Sequence, residues 1–412
     1  MTRINASNSG SPEGAKLPRR DWVLLPSLSL LTVCVLLGTL EFVARRKFPN
    51  MKNVKWPTPT DCLITNDPAT GVRGIPNSAC WAGVFESGAV EYRFNSCGHR
   101  AGMECGPKPP GTYRIVMLGT STALGWSVPR EKSFAALLPN ELTQTSGHKV
   151  ELYNEAMWWE SPLAIIMRFN DVLAAKPDMI LWVVSPTEPM SASKIFPERD
   201  HSAETGAGMA LKDSPPQASF RASLEAAASL IPHSIHRLGS LLEGSRSKLM
   251  LQHFLYESGK QDVQSYLRGS EARFMRTTSS AEQVSAMARF DKYVGEIASR
   301  SKAAGVPLVV VMAPYRAQAA MISMGEWPTG YDPYKLNNEI RSIVTSRGAM
   351  YIDILPDFRT IPNPEQGYFP VDRHPNADGH AMISRMLAKE LTSGVIPELR
   401  ADGRRAAVAT SK

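Results

Sequence analysis

Five short runs of nearly unbroken apolar residues constrain this chain more than any other feature. They are YRIVMLG (113–119), KVELYNEA (149–156), DMILWVVSP (178–186), VPLVVVMAP (306–314) and AMYIDILP (349–356). Between and after them stand stretches with helical periodicity: 130–147, 162–177, 281–305, 331–348 and 379–393. A strand covered on both faces reads as continuous apolar sequence, and parallel strands need crossover connections of helical length. The alternation therefore predicts a three-layer α/β/α domain around a parallel sheet, whose ligands bind beyond the carboxyl ends of the strands. Residues 190–280 interrupt this rhythm with Ala-, Leu- and Ser-rich helical pieces, and read as an insertion that is either a lid, a docking surface or a packing appendage.

A second apolar feature lies near the N-terminus. Trp22 to Leu40 is a run of 19 residues without a charge, inside the segment 22–44. At 1.5 Å per helical residue this nearly crosses a hydrocarbon layer of about 30 Å. Cations flank both ends: Lys16, Arg19 and Arg20 before it, Arg45, Arg46 and Lys47 after it. No small-residue cleavage site follows, so the segment reads as an uncleaved transmembrane signal anchor. Residues 1–21 would form a cytoplasmic tail, and the bulk of the chain would lie in the periplasm or another extracytoplasmic space. The competing readings are a cleaved signal peptide and a buried core helix.

Cysteine usage agrees with that compartment. Cys34 falls inside the span, and Cys62, Cys80, Cys97 and Cys105 cluster just after it. An even, clustered set suits two disulfides in an oxidising space, and Cys62–Cys80 with Cys97–Cys105 is the simplest of three pairings. Without a C-x-x-C the spacing does not suggest zinc. Residues 45–110, rich in Pro, Gly, Asn and Cys, read as a loop-rich lead-in with one strand-like run at AVEYRFNS. The main domain would then occupy 111–395, and a basic tail 396–412. The net charge of +7 raises the question of nucleic acid, but no basic block or zinc-finger pattern supports it.

Two polar stretches carry chemistry. The first apolar run ends abruptly in Gly119-Thr120-Ser121, presenting a serine at a strand tip. Near the C-terminus, YFPVDRHPNADGHAMIS (368–384) places Asp372 two residues before His374, with His380 as a rival base. A carboxylate that fixes an imidazole's tautomer, with the other ring nitrogen facing a hydroxyl, is the arrangement of a serine nucleophile. Each stretch alone has a bland alternative in a helix-capping turn.

Together, this serine, the D-x-H-P-N-x-x-G-H stretch and the sheet between them resemble the SGNH/GDSL hydrolases, over about residues 111–392. The lead-in YRFNSCGHRAG resembles that of membrane-anchored bacterial members. The resemblance implies a flavodoxin-like fold, with Ser121 as nucleophile, His374 as base and Asp372 as the orienting acid. The family's Gly-Asp-Ser is Gly-Thr-Ser here. It further implies an oxyanion hole from the N–H groups of Ser121 and Ala156, the latter in YNEAMWWESP, with Thr187 of WVVSPTEPM replacing the family's asparagine. Trp158 and Trp159 are candidates to stack on a sugar, and Arg316 to meet an anionic substrate. The implied activity is ester hydrolysis on a small molecule or on O-acyl groups of a polysaccharide. Acyl transfer to such a polysaccharide, and a non-catalytic binding role, are alternatives. No metal or organic cofactor is implied.

Overall fold

The computed structural model describes residues 20–47, 62–67, 71–191 and 246–401. The N-terminal apolar segment is helix α1 (Asp21–Lys47). Its apolar stretch Val23–Arg46 has none of its most apolar window buried against the rest of the chain. That excludes the core-helix alternative and leaves a long apolar cylinder exposed.

The lead-in carries two small antiparallel hairpins: β1 (Leu63–Asp67) with β2 (Gly71–Gly74), and β3 (Ala79–Ala82) with β4 (Val90–Arg93). Cys62–Cys80 ties the first hairpin to the second, and Cys97–Cys105 closes the following loop. Cys34 is the free cysteine. The lead-in is more than a linker. Val72, Cys80, Val90, Tyr92 and Phe94 belong to the same buried cluster as the central sheet.

The five apolar runs become β5 (Thr112–Gly119), β6 (Lys149–Asn154), β7 (Met179–Val184), β8 (Leu308–Met312) and β9 (Met350–Ile352). All pair in parallel, in the order β6-β5-β7-β8-β9. Strands β5, β7 and β8 are buried at every position, as unbroken apolar sequence requires. The strand order reverses at β5, so the crevice beyond its carboxyl end is the topological switch point.

Helices fill the crossovers. They are α2 (Ser121–Leu124), α3 (Phe134–Ser146), α4 (Pro162–Met167) and α5 (Phe169–Ala174). The stretch read as one helix over 162–177 is broken at Arg168, for a reason given below. After β7, residues 192–245 lie outside the described set, and with them the helical piece expected at 217–244. The rest of the insertion forms α6 (Arg246–Glu257) and α7 (Gly259–Arg268). Then come α8 (Ala281–Ala303), α9 (Arg316–Met324), α10 (Lys335–Ser346) and α11 (Ala377–Glu390). A reciprocal Ser280–Gln283 capping box starts α8. Asn376 caps α11, accepting from the Asp378 and Gly379 N–H groups at 3.0 and 3.1 Å.

Candidate active site at the switch point

Strand β5 ends on glycine for a steric reason. Gly119 has φ +143, and a Cβ there would collide with the Val183 carbonyl of the paired strand and the Ala123 side chain. The chain can turn sharply here, and α2 begins at once with Ser121. The turn beyond is pinned by the buried Arg100, whose guanidinium donates to the Leu124, Gly125 and Val128 carbonyls at 2.7–2.8 Å and lies 4.2 Å from the Tyr92 ring centroid. Tyr92 in turn accepts the Ser127 N–H at 2.7 Å.

Ser121 Oγ lies 2.8 Å from His374 Nε2, across 253 residues of sequence. His374 Nδ1 lies 2.8 Å from Asp372 Oδ1, whose other oxygen accepts the Trp126 indole N–H at 3.2 Å. Burial pushes the Asp372 carboxyl up. The facing imidazole, the indole N–H and the His374 N–H outweigh this and leave it below the ordinary carboxylate value. An ionised Asp372 fixes the tautomer with hydrogen on Nδ1, so Nε2 is the acceptor toward Ser121. The rival, His380, is fully buried and its Nδ1 accepts the Phe134 N–H at 3.2 Å. Burial lowers its pKa to about 3, a neutral core histidine.

Three of the remaining sequence expectations are corrected. The Ala156 N–H donates to Asn154 Oδ1 at 3.1 Å, so it is already committed within its own turn. Trp158 is 1% exposed, packed on Tyr92, Phe94 and Trp126, and presents no face to a sugar. Arg316 is also 1% exposed, 2.8 Å from Asp262 of α7 and donating to the Glu365 carbonyl, so it answers a buried internal carboxylate. Trp159 is half-buried with φ +53, and Thr187 stands just beyond the end of β7.

Residues that sequence reading missed hold these loops. Arg168 donates to Glu160 at 2.6 Å, to Glu155 Oε2 at 2.9 Å and to the Glu155 carbonyl at 2.6 Å. This fully buried cluster fixes the 155–160 loop and interrupts the helix from which Arg168 projects. Glu188 accepts from Trp182 Nε1 at 2.7 Å and from the Ser185 N–H at 3.1 Å, bracing the turn that carries Thr187. Burial raises its pKa to about 8 against those two donors. Of six non-glycine residues at positive φ among the described residues, three stand around the site: Ser127, Trp159 and Arg373. Such strain persists only where surrounding contacts over-determine the backbone. Among the described residues no group of three or more His, Cys, Asp or Glu side chains could hold a metal ion.

The fold and site define a class: a doubly wound α/β protein of flavodoxin-like strand order, with a serine, a histidine and an aspartate in line at its switch point. No family model and no curated protein matches the chain. Similar solved structures include a catalytic mutant of an acetylxylan esterase from Geobacillus stearothermophilus (9% identity, 70% of this chain and 95% of that one, TM-score 0.37). A lipase/acylhydrolase from Enterococcus faecalis is similar at 11% identity over 68% and 95%, TM-score 0.35. A GDSL-like lipase from Bacteroides thetaiotaomicron is similar at 10% identity over 68% and 89%, TM-score 0.31. At such identities and scores they add nothing to what the strand order and the site distances establish.

Proposed function

We propose that the protein is a membrane-anchored serine esterase or acyl hydrolase of the SGNH type. The reading is carried by one observation, the unbroken line Ser121 Oγ–His374 Nε2 and His374 Nδ1–Asp372 Oδ1, 2.8 Å at each contact. In this reaction the Ser121 hydroxyl attacks an ester carbonyl while His374 Nε2 takes its proton. Asp372 stabilises the imidazolium that forms. Collapse of the tetrahedral species breaks the ester C–O bond, and the leaving alcohol takes the proton back from His374. The acyl-enzyme that remains is resolved by water in an esterase, or by a sugar hydroxyl in an O-acyltransferase. The Ser121 N–H, first in α2 and so without an intrahelical acceptor, is one oxyanion donor; the proposed second is the Thr187 hydroxyl, which lies 3.2 Å from Ser185 Oγ and would have to turn from its present partners to the oxyanion. The exposed helix α1 and the two disulfides support a bilayer anchor with the domain in an oxidising compartment.

The test is covalent labelling of the detergent-solubilised full chain with a fluorophosphonate. Native protein should label on Ser121, and Ser121→Ala and His374→Ala should not. Labelling that persists in Ser121→Ala would remove the assignment.

A second reading, a carbohydrate-binding protein without catalysis, is favoured by a groove of about 770 Å³ beside the 369–378 segment. Its lining includes Trp81, 56% exposed, together with Arg93, Arg130 and Asn376. Absence of labelling in a folded chain that retains polysaccharide binding, lost in Trp81→Ala, would select this reading.

A further inference from the structure

Glu86 is a buried carboxylate that the proposed chemistry leaves unused. It sits in the connection between β3 and β4, with a side chain only 2% exposed. Its oxygens accept the Val371 N–H at 3.1 and 3.3 Å, the Asp372 N–H at 3.0 Å and the His253 Nδ1–H of α6 at 2.8 Å. Two consecutive backbone N–H groups thus converge on one anionic group, which fixes the peptide plane between them. From that plane Asp372 projects to His374, and it also accepts the His374 N–H at 3.3 Å.

The segment 371–374 lies in no helix or strand; its own backbone closes only a turn, in which the Arg373 N–H donates to the Phe369 carbonyl and the Phe369 N–H to the His374 carbonyl, 2.9 Å each. A buried carboxylate without donors would be costly, and here two amides and an imidazole satisfy it. The next residue, Arg373, is also held by the insertion. Its Nη1 lies 3.2 Å from Glu271, its Nε 3.5 Å from Asp262, and its guanidinium 5.2 Å from the Tyr266 ring centroid. Arg373 stands in the left-handed region, at φ +71, between these contacts and the Glu86-held amides.

We propose that Glu86 is a positioning residue for the Ser121–His374–Asp372 line, setting the backbone from which Asp372 and His374 project, and that His253 couples it to the insertion helix α6. The proposal rests on the serine-hydrolase reading for its kinetic consequence, but its geometric content stands apart from activity. Two measurements on the full-length chain in detergent separate them. One is fluorophosphonate labelling, resolved into maximal rate and half-saturating probe concentration. The other is the low-field ¹H NMR resonance of the proton shared by His374 Nδ1 and Asp372.

Glu86→Ala should lower the maximal labelling rate by about 10²-fold, the scale of a misplacement near 1 Å, while the half-saturating concentration moves less than about twofold. The low-field proton should broaden or be lost. Glu86→Gln keeps one acceptor oxygen and should lose roughly tenfold in rate. Should Glu86→Ala fail to fold, the isosteric Gln variant decides. Rates within about twofold of native and an unmoved low-field proton in the folded variants overturn the proposal. If native protein does not label at all, the hydrolase reading fails, and the resonance alone decides: its loss in folded Glu86→Gln supports positioning, and its persistence unchanged refutes it.

Discussion

His374 and His380, six residues apart, have opposite surroundings, and the difference gives a pH prediction. His374 is part-exposed between Ser121 and Asp372, whereas His380 is sealed beneath α3. With its folded pKa lowered to about 3, His380 takes up a proton only on unfolding once the pH drops below its ordinary value near 6.5. Its contribution to stability is therefore complete above that pH and is lost as pH falls toward 3. Well below pH 6.5 the slope should approach about 1.4 kcal/mol per pH unit. Denaturant melts at pH 7, 6 and 5 should show this fall, and His380→Gln, which keeps an acceptor for the Phe134 N–H, should flatten it. Trp126→Phe tests a neighbouring contact. Losing the indole bond to Asp372 should slow labelling about tenfold with the fold intact, read by probe kinetics and circular dichroism. Sequence reading could single out Ser121, Asp372 and His374 because each stands in a short local pattern. It could not see that Arg316 and Trp158 are buried. The partner of Arg316 is in the insertion, and Trp158 is enclosed by Tyr92, Phe94 and Trp126, two of them from the lead-in. Glu86 was invisible for the same reason, since its amide partners lie 285 and 286 residues away.

At the scale of elements, the central strands were legible because burial on both faces leaves no room for alternation. The helix ends at Ser280 and Asn376 follow capping chemistry that is local in sequence. Strands β1, β2 and β3 escaped notice, being four or five residues long in Gly- and Pro-rich sequence, where pairing rather than periodicity makes the strand. The break at Arg168 also escaped notice, because its cause is a charge cluster and not a helix breaker. The turn from β5 to α2 offers the sharpest test at this scale. Gly119→Ala must strain its φ and displace the Val183 carbonyl or Ala123, and should cost about 2–4 kcal/mol in chemical denaturation.

For the whole molecule, the lead-in and the sheet share one core, so the disulfides stabilise more than a linker. Cys62–Cys80 closes a sequence separation of 18, for which chain entropy predicts about 3 kcal/mol. Cys62→Ser with Cys80→Ser should lower the melting temperature. Thiol titration of denatured native protein should find one free group before reduction and five after. The contact between α1 and α6 has a spatial consequence. Glu41, one turn before Arg45 in α1, accepts the Ser247 N–H and hydroxyl at 3.0 Å each, at the start of α6. His253 follows six residues later, about 9 Å along that helix. Were α1 to span a bilayer, as proposed, this stitch would hold the start of α6 at a set bearing to the span rather than on a slack leash.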